Sequence, residues 1–101
     1  MIMKIGERIM ILRERKGYTQ KQLAQRLGIS RNAVNLWEMS MSSPSMESLI
    51  ELSKIFHVST DYLLGLETDE KIDISDLTEE EKKILFMIIS YFDKNKHDNE
   101  E

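Results

Sequence analysis

Apolar positions recur at helical spacing through most of this chain, and each run stops at a residue suited to ending a helix. Ile5, Ile9 and Leu12 repeat with Arg8, Arg13 and Arg15 among them, which predicts an amphipathic helix over roughly residues 3–16, closed by Gly17. Thr19 with Gln22 three residues on makes a capping box, and Leu23, Ala24 and Leu27 supply the apolar stripe of a second helix. Gly28 permits a sharp turn, Ile29 is placed to plug the core beneath it, and Ser30 is a suitable N-cap for a third helix. That helix carries Ala33, Val34 and Trp37 on one side. The segment MSMSSPS then loses all periodicity and reads as a loop. Pro44 and Ser45 open a fourth helix whose apolar set is Met46, Leu49, Ile50, Ile55 and Phe56, with small Ser53 among them and a stop at His57. Ser59 caps a fifth, short helix from Thr60 to Leu64, ended by Gly65. No strand-like alternation appears.

Residues 67–76, ETDEKIDISD, carry no period and read as a charged linker. Thr78 and Glu81 form another capping box, and Glu79, Glu80 and Glu81 fall in a first turn, where the helix dipole favours acids. The body of this sixth helix, ILFMIISYF, is apolar around most of its circumference. Ile84, Leu85, Ile88 and Phe92 make one stripe, and Phe86, Met87, Ile89 and Tyr91 fill much of the rest. A helix packed on one core needs only a stripe. The economical expectation is burial on two sides, one against helix five or one and the other against a second chain. The alternative is a thick helix in an ordinary monomer core. After Asp93 the polar tail is expected to fray.

The third helix has a second face. Successive residues lie about 100° apart, so Arg31, Asn32, Asn35, Leu36 and Met39 oppose Ala33, Val34 and Trp37. Over residues 19–38 the chain reads T-Q-x-x-L-A-x-x-L-G-I-S-x-x-x-V-x-x-W-E. This closely resembles the helix-turn-helix of the phage repressor/Cro-like (XRE-type) transcriptional regulators. The spacing PSMESLIELSKIFHVSTDYLLG matches the family's last two helices, so the resemblance covers about residues 3–66.

Candidate chemistry follows from both sources. Arginine makes bidentate contacts to guanine and asparagine to adenine, and an apolar side chain can cover a thymine methyl. Arg31, Asn32, Asn35 and Leu36 are therefore the candidate base contacts, and the resemblance implies the same surface; the bland reading is a solvated helix face. The resemblance implies a phosphate contact for Gln20, at a helix N-terminus. Lys21, Ser30, Ser42 and Ser43 are further phosphate candidates, although capping alone accounts for Ser30. The resemblance also implies that Arg13 pairs with Glu38 to hold the third helix; a phosphate contact is the alternative role for Arg13. The chain departs from the family pattern at Ser40, where glycine or asparagine is usual, at the uncharged loop Met41, Ser42 and Ser43, and at Leu36. These departures predict a shallower salt dependence than is typical.

Charge refines the picture. The net charge of −4 over 101 residues looks wrong for a nucleic-acid binder until it is divided. Residues 1–66 hold nine Lys and Arg against six acids, and residues 67–101 hold five against twelve. The acidic excess of seven in the second part hides a basic excess of three in the first, and phosphate attraction is set locally. There is no cysteine, so disulfides and thiolate chemistry are excluded, which fits a reducing cytosol. The longest apolar run, Ile84 to Ile89, is too short to span a bilayer, and MIMKIGERIM has no signal-peptide core. Enzyme readings fare badly. There is no Gly-rich phosphate loop and no nucleophile–base set, and His57 and His97 lack metal-ligand spacing. The seven methionines read as packing filler.

The expectation is an all-α chain. Residues 1–66 form a five-helix repressor-like DNA-binding domain, 67–77 a charged linker, and 78–101 a C-terminal dimerisation helix with an acidic tail. Ile84, Leu85, Ile88, Ile89 and Phe92 are the dimerisation candidates. The expected function is sequence-specific binding of double-stranded DNA by a cytoplasmic homodimeric repressor on an inverted repeat, with no cofactor, no metal and no membrane. Two alternatives stand beside it: an antitoxin-type regulator whose acidic C-terminal segment covers a protein partner, and an interaction module pairing through helix six.

Overall fold

The computed structural model describes residues 4–67 and 70–99, with side chains through residue 95. Among these residues it contains six helices and no strand: α1 (Ile5–Lys16), α2 (Gln20–Leu27), α3 (Arg31–Glu38), α4 (Met46–Phe56), α5 (Thr60–Leu64) and α6 (Glu79–Asn99). The local caps explain the boundaries. Thr19 Oγ1 accepts from Gln22 N–H while Gln22 Oε1 accepts from Thr19 N–H, a complete capping box. Ser30, Ser45 and Ser59 each accept from the backbone N–H three residues on, at 3.0–3.1 Å. Gly28 ends α2 at φ 70, a left-handed backbone that glycine adopts without a Cβ clash.

The first five helices share one core. Ile9 and Leu12 of α1, Leu23 and Ala24 of α2, Val34 and Trp37 of α3, Leu49, Leu52 and Phe56 of α4, Val58, and Leu63 of α5 are buried together. Ile29 packs against this cluster from beneath the turn, as its position in the sequence predicts. Within α4 the expected apolar set is only partly right. Met46 and Ile50 are exposed, whereas Leu52, a residue outside that set, is fully buried. The stripe that faces the core is Leu49, Leu52 and Phe56, at i, i+3 and i+7.

Gly6 fixes how α1 crosses α3. A Cβ at this position would sit 2.0 Å from the Trp37 carbonyl oxygen, so only glycine lets the helices approach this closely. Arg8 ties α1 to α5. Its guanidinium lies 4.1 Å from the Tyr62 ring centroid and donates to the Tyr62 carbonyl.

Two expectations about the C-terminal helix, its burial and its fraying, are corrected, and the linker makes contacts that its composition does not signal. The linker does not run free. Asp73 N–H donates to the His57 carbonyl at 2.8 Å, and His57 Nδ1 donates to the Asp73 carbonyl at 3.1 Å. Glu70 accepts from Arg15 and from Tyr62, and Glu67 accepts from Ser59. The linker's carboxylates find partners on α1 and α5, which is why a segment with no apolar period still docks. Helix α6, by contrast, does not bury one side against α1 or α5. Ile84, Phe86, Met87, Ile88, Ile89, Tyr91 and Phe92 are all exposed, and Leu85 is half-buried. The radius of gyration is 15.9 Å, against about 13 Å for a compact chain of this length. The helix also continues past Asp93 to Asn99, where fraying was expected. The side chain of His97 lies outside those described.

Candidate nucleic-acid interface

The α2–turn–α3 unit is held from behind. Val34 is fully buried and Trp37 nearly so, against Leu23 and Ala24 of α2. Burial of that side turns the opposite face of α3 outward. Arg31 and Asn32 are exposed, and Asn35 and Leu36 are half-buried. These four candidate base contacts therefore lie along one side of one helix, with Arg31 and Asn32 foremost.

The end of α3 is pinned to α1. Arg13 Nε donates to Glu38 Oε2 at 2.6 Å and Nη2 donates to Oε1 at 3.0 Å. The Glu38 side chain is 4% exposed and that of Arg13 is 12% exposed. Hydrogen bonding to Glu38 holds the Arg13 guanidinium above its ordinary pKa, against the opposing effect of burial. Arg13 also donates to the Tyr18 carbonyl at 2.7 Å, so the segment entering α2 is fastened by the same side chain. The guanidinium is committed to protein partners.

Gln20 is the notable departure among the phosphate candidates. Its side chain turns inward: Nε2 donates to Asn35 Oδ1 at 3.2 Å and to Glu38 Oε1 at 3.1 Å. Both amide hydrogens are used, so the groups of Gln20 left for a phosphate are its backbone N–H and its position in the first turn of α2. Lys21 is exposed beside it. Ser30 caps α3 through its oxygen, which leaves its hydroxyl hydrogen available as a donor.

The loop after α3 is ordered by the backbone. The Leu36 carbonyl accepts from Met41 N–H at 2.9 Å and from Ser42 N–H at 3.3 Å, which presents exposed Ser42 and Ser43 beyond the end of the helix. Ser40 takes a left-handed backbone, φ 60. That accounts for glycine or asparagine being usual there in the resembling family. Lys4 lines the same surface depression as Ser42 and Ser43. Sequence reasoning missed it, because nothing near residue 4 signals a neighbour some forty positions away. It supplies positive charge beside a loop that carries none.

Two short helices joined at a glycine turn, the second held from behind with its polar side outward, define a helix-turn-helix domain. The helix-turn-helix model (HTH_3) matches residues 9–63. The transcriptional regulator ImmR of Bacillus subtilis is 34% identical over 103 residues, covering 91% of this chain and 81% of that protein. The cryptic phage CTXphi transcriptional repressor RstR of Vibrio cholerae is 34% identical over 95 residues, covering 86% and 85%. Among solved structures, the P22 c2 repressor in complex with synthetic operator 9T superposes with a TM-score of 0.61 at 37% identity, over 64% of this chain and 98% of that one. The chain belongs to the helix-turn-helix (XRE-type) family of DNA-binding transcriptional regulators. No helix among the described residues is long and apolar enough to cross a membrane.

Proposed function

We propose that this protein is a homodimeric repressor that binds an inverted-repeat operator by inserting α3 into the major groove. The observation that carries the reading is the outward placement of Arg31 and Asn32 opposite the buried Val34 and Trp37. Arg31 reads guanine, Asn32 and Asn35 contribute amide hydrogen bonds, and Leu36 covers a thymine methyl at the rim. Lys21, Ser30, Ser42, Ser43 and the first turn of α2 at Gln20 hold phosphates. RstR is a repressor and the P22 c2 structure is of an operator-bound repressor, which supports the same reading.

Dimerisation falls to α6. Ile84, Leu85, Ile88, Ile89 and Phe92 share one side of the helix, and large apolar residues left in water on a single helix mark an interaction surface. A twofold dimer places two α3 helices about 34–36 Å apart, one turn of duplex. A protein partner is the second reading of the same surface, favoured by the apolar residues on both sides of α6. Co-purification with a different chain in place of a self-dimer distinguishes it.

Selection of bound duplexes from a random pool, read alongside the solution mass, tests the proposal. The expected result is a palindromic motif bound by a dimer. Arg31→Ala relaxes one base position by about 1–3 kcal/mol, whereas Lys21→Ala weakens all sequences alike and lowers the salt slope by about one. Binding of the selected operator no tighter than random duplex at moderate salt sinks it.

A further inference from the structure

Asn35 has a fixed polarity, and the hydrogen bonds behind it dictate which way it faces. The Glu38 carboxylate can only accept, and it is already pinned by Arg13. Gln20 must therefore turn its NH2 group, not its oxygen, toward Glu38 Oε1. The other hydrogen on that nitrogen requires an acceptor, and Asn35 Oδ1 provides it at 3.2 Å. With Oδ1 held inward, Asn35 Nδ2 lies on the far side of the amide. Its partner there is Met39 Sδ at 3.4 Å, a weak acceptor on a side chain that is 60% exposed and easily displaced.

An asparagine free at both ends makes a bidentate pair with adenine, donating to N7 and accepting from N6. Asn35 offers only its donor. We infer that Asn35 is a donor-only specificity residue, selecting a base with a major-groove acceptor, and that Gln20 is the positioning residue that sets this polarity. The inference rests on the reading of α3 as the groove-entering helix. Guanine, with two acceptors at O6 and N7, and thymine, with O4, satisfy it. Adenine offers N7 but sets its own N6 amino donor beside it, against the Asn35 NH2 group, and cytosine, which presents only an amino donor, receives none.

The test is a parallel selection of duplexes bound by the full-length chain and by two variants, with helical content checked by circular dichroism. Asn35→Asp keeps one oxygen for Gln20 and turns the other to the groove, so preference at one position of each half-site should move from guanine or thymine to cytosine. Gln20→Glu offers Asn35 an acceptor, which turns Oδ1 outward and should move the same position toward adenine or cytosine. Each change should be about tenfold at that position. The new carboxylate faces Glu38, so if Gln20→Glu does not fold, Asn35→Asp carries the test alone. A wild-type motif that persists unchanged in the folded variants, or a uniform loss across all sequences, overturns the assignment to Asn35 while leaving the DNA-reading role intact. A wild-type protein that enriches no sequence overturns that role and this inference together.

Discussion

Arg13 and Glu38, 25 residues apart, meet through two charge-assisted hydrogen bonds of 2.6 and 3.0 Å, joining α1 to the end of α3. The pair is largely removed from water. Losing one partner therefore leaves the other charge stranded, an effect larger than the net worth of the pair itself. Glu38→Leu should destabilise the fold by about 3 kcal/mol. The double change Arg13→Met with Glu38→Leu should recover most of that, because it removes both desolvated charges. Urea unfolding checks this: the single variant lowers the midpoint and the double variant largely restores it, with similar slopes.

Ser40 turns the chain out of α3 with φ 60, a backbone that disfavours any Cβ. Ser40→Gly should stabilise the protein by about 1 kcal/mol, raising Tm by roughly 4–8 °C. His57 shares the left-handed backbone at φ 55, but its ring donates to the Asp73 carbonyl. His57→Gly should gain less, because the relief of strain is offset by the lost contact. Thermal melts of the two variants side by side read the difference.

The exposed apolar residues of α6 make a prediction that separates self-association from folding. Ile88→Glu should halve the solution mass while leaving the helical signal of the first five helices intact, because Ile88 is exposed and is not one of the buried core residues. The wild-type Tm should rise with protein concentration, and the variant's should not. Sedimentation alongside concentration-dependent melting measures both. An unchanged mass would assign dimer formation elsewhere.

The docking of the linker should be acid-sensitive. The hydrogen bond from Arg15, followed by that from Tyr62, holds the Glu70 carboxyl below its ordinary pKa, and Ser59 and Lys71 do the same for Glu67. A carboxylate whose folded pKa is depressed contributes fully above its unfolded pKa and loses that contribution as pH falls through the folded one. The linker should therefore stay docked at neutral pH and release on acidification below the ordinary carboxylate range. Loss of the Asp73 amide's hydrogen-bonded NMR shift should track this. Arg15→Gln should move the release to higher pH.

The features legible in sequence were those settled within a few residues. Caps at Thr19, Ser30, Ser59 and Thr78 join groups three positions apart, and the turn at Gly28 needs only its own backbone. What was missed depended on distant partners. Ile50 belongs to the expected apolar set of α4 and Leu52 does not, and only the direction from which the other helices approach exposes the first and buries the second. Gly6 resembles any glycine in a helix until Trp37 arrives above it. Gln20 sits at an exposed helix start by every local criterion, yet its amide turns to groups 15 and 18 residues away.

By itself the amino-acid order determined an all-helical chain, the position of the glycine turn, and the candidates for base recognition. Periodicity, capping and side-chain chemistry are local properties, expressed wherever the segment folds. Tertiary structure alone decided which of those side chains are free to act. It committed Arg13 to Glu38, turned Gln20 inward, set the polarity of Asn35, brought Lys4 beside the serine loop, and left the apolar side chains of α6 exposed among the described residues. The physical reason is that a hydrogen bond or an apolar contact needs two groups in space, and here the second group is often supplied from another helix.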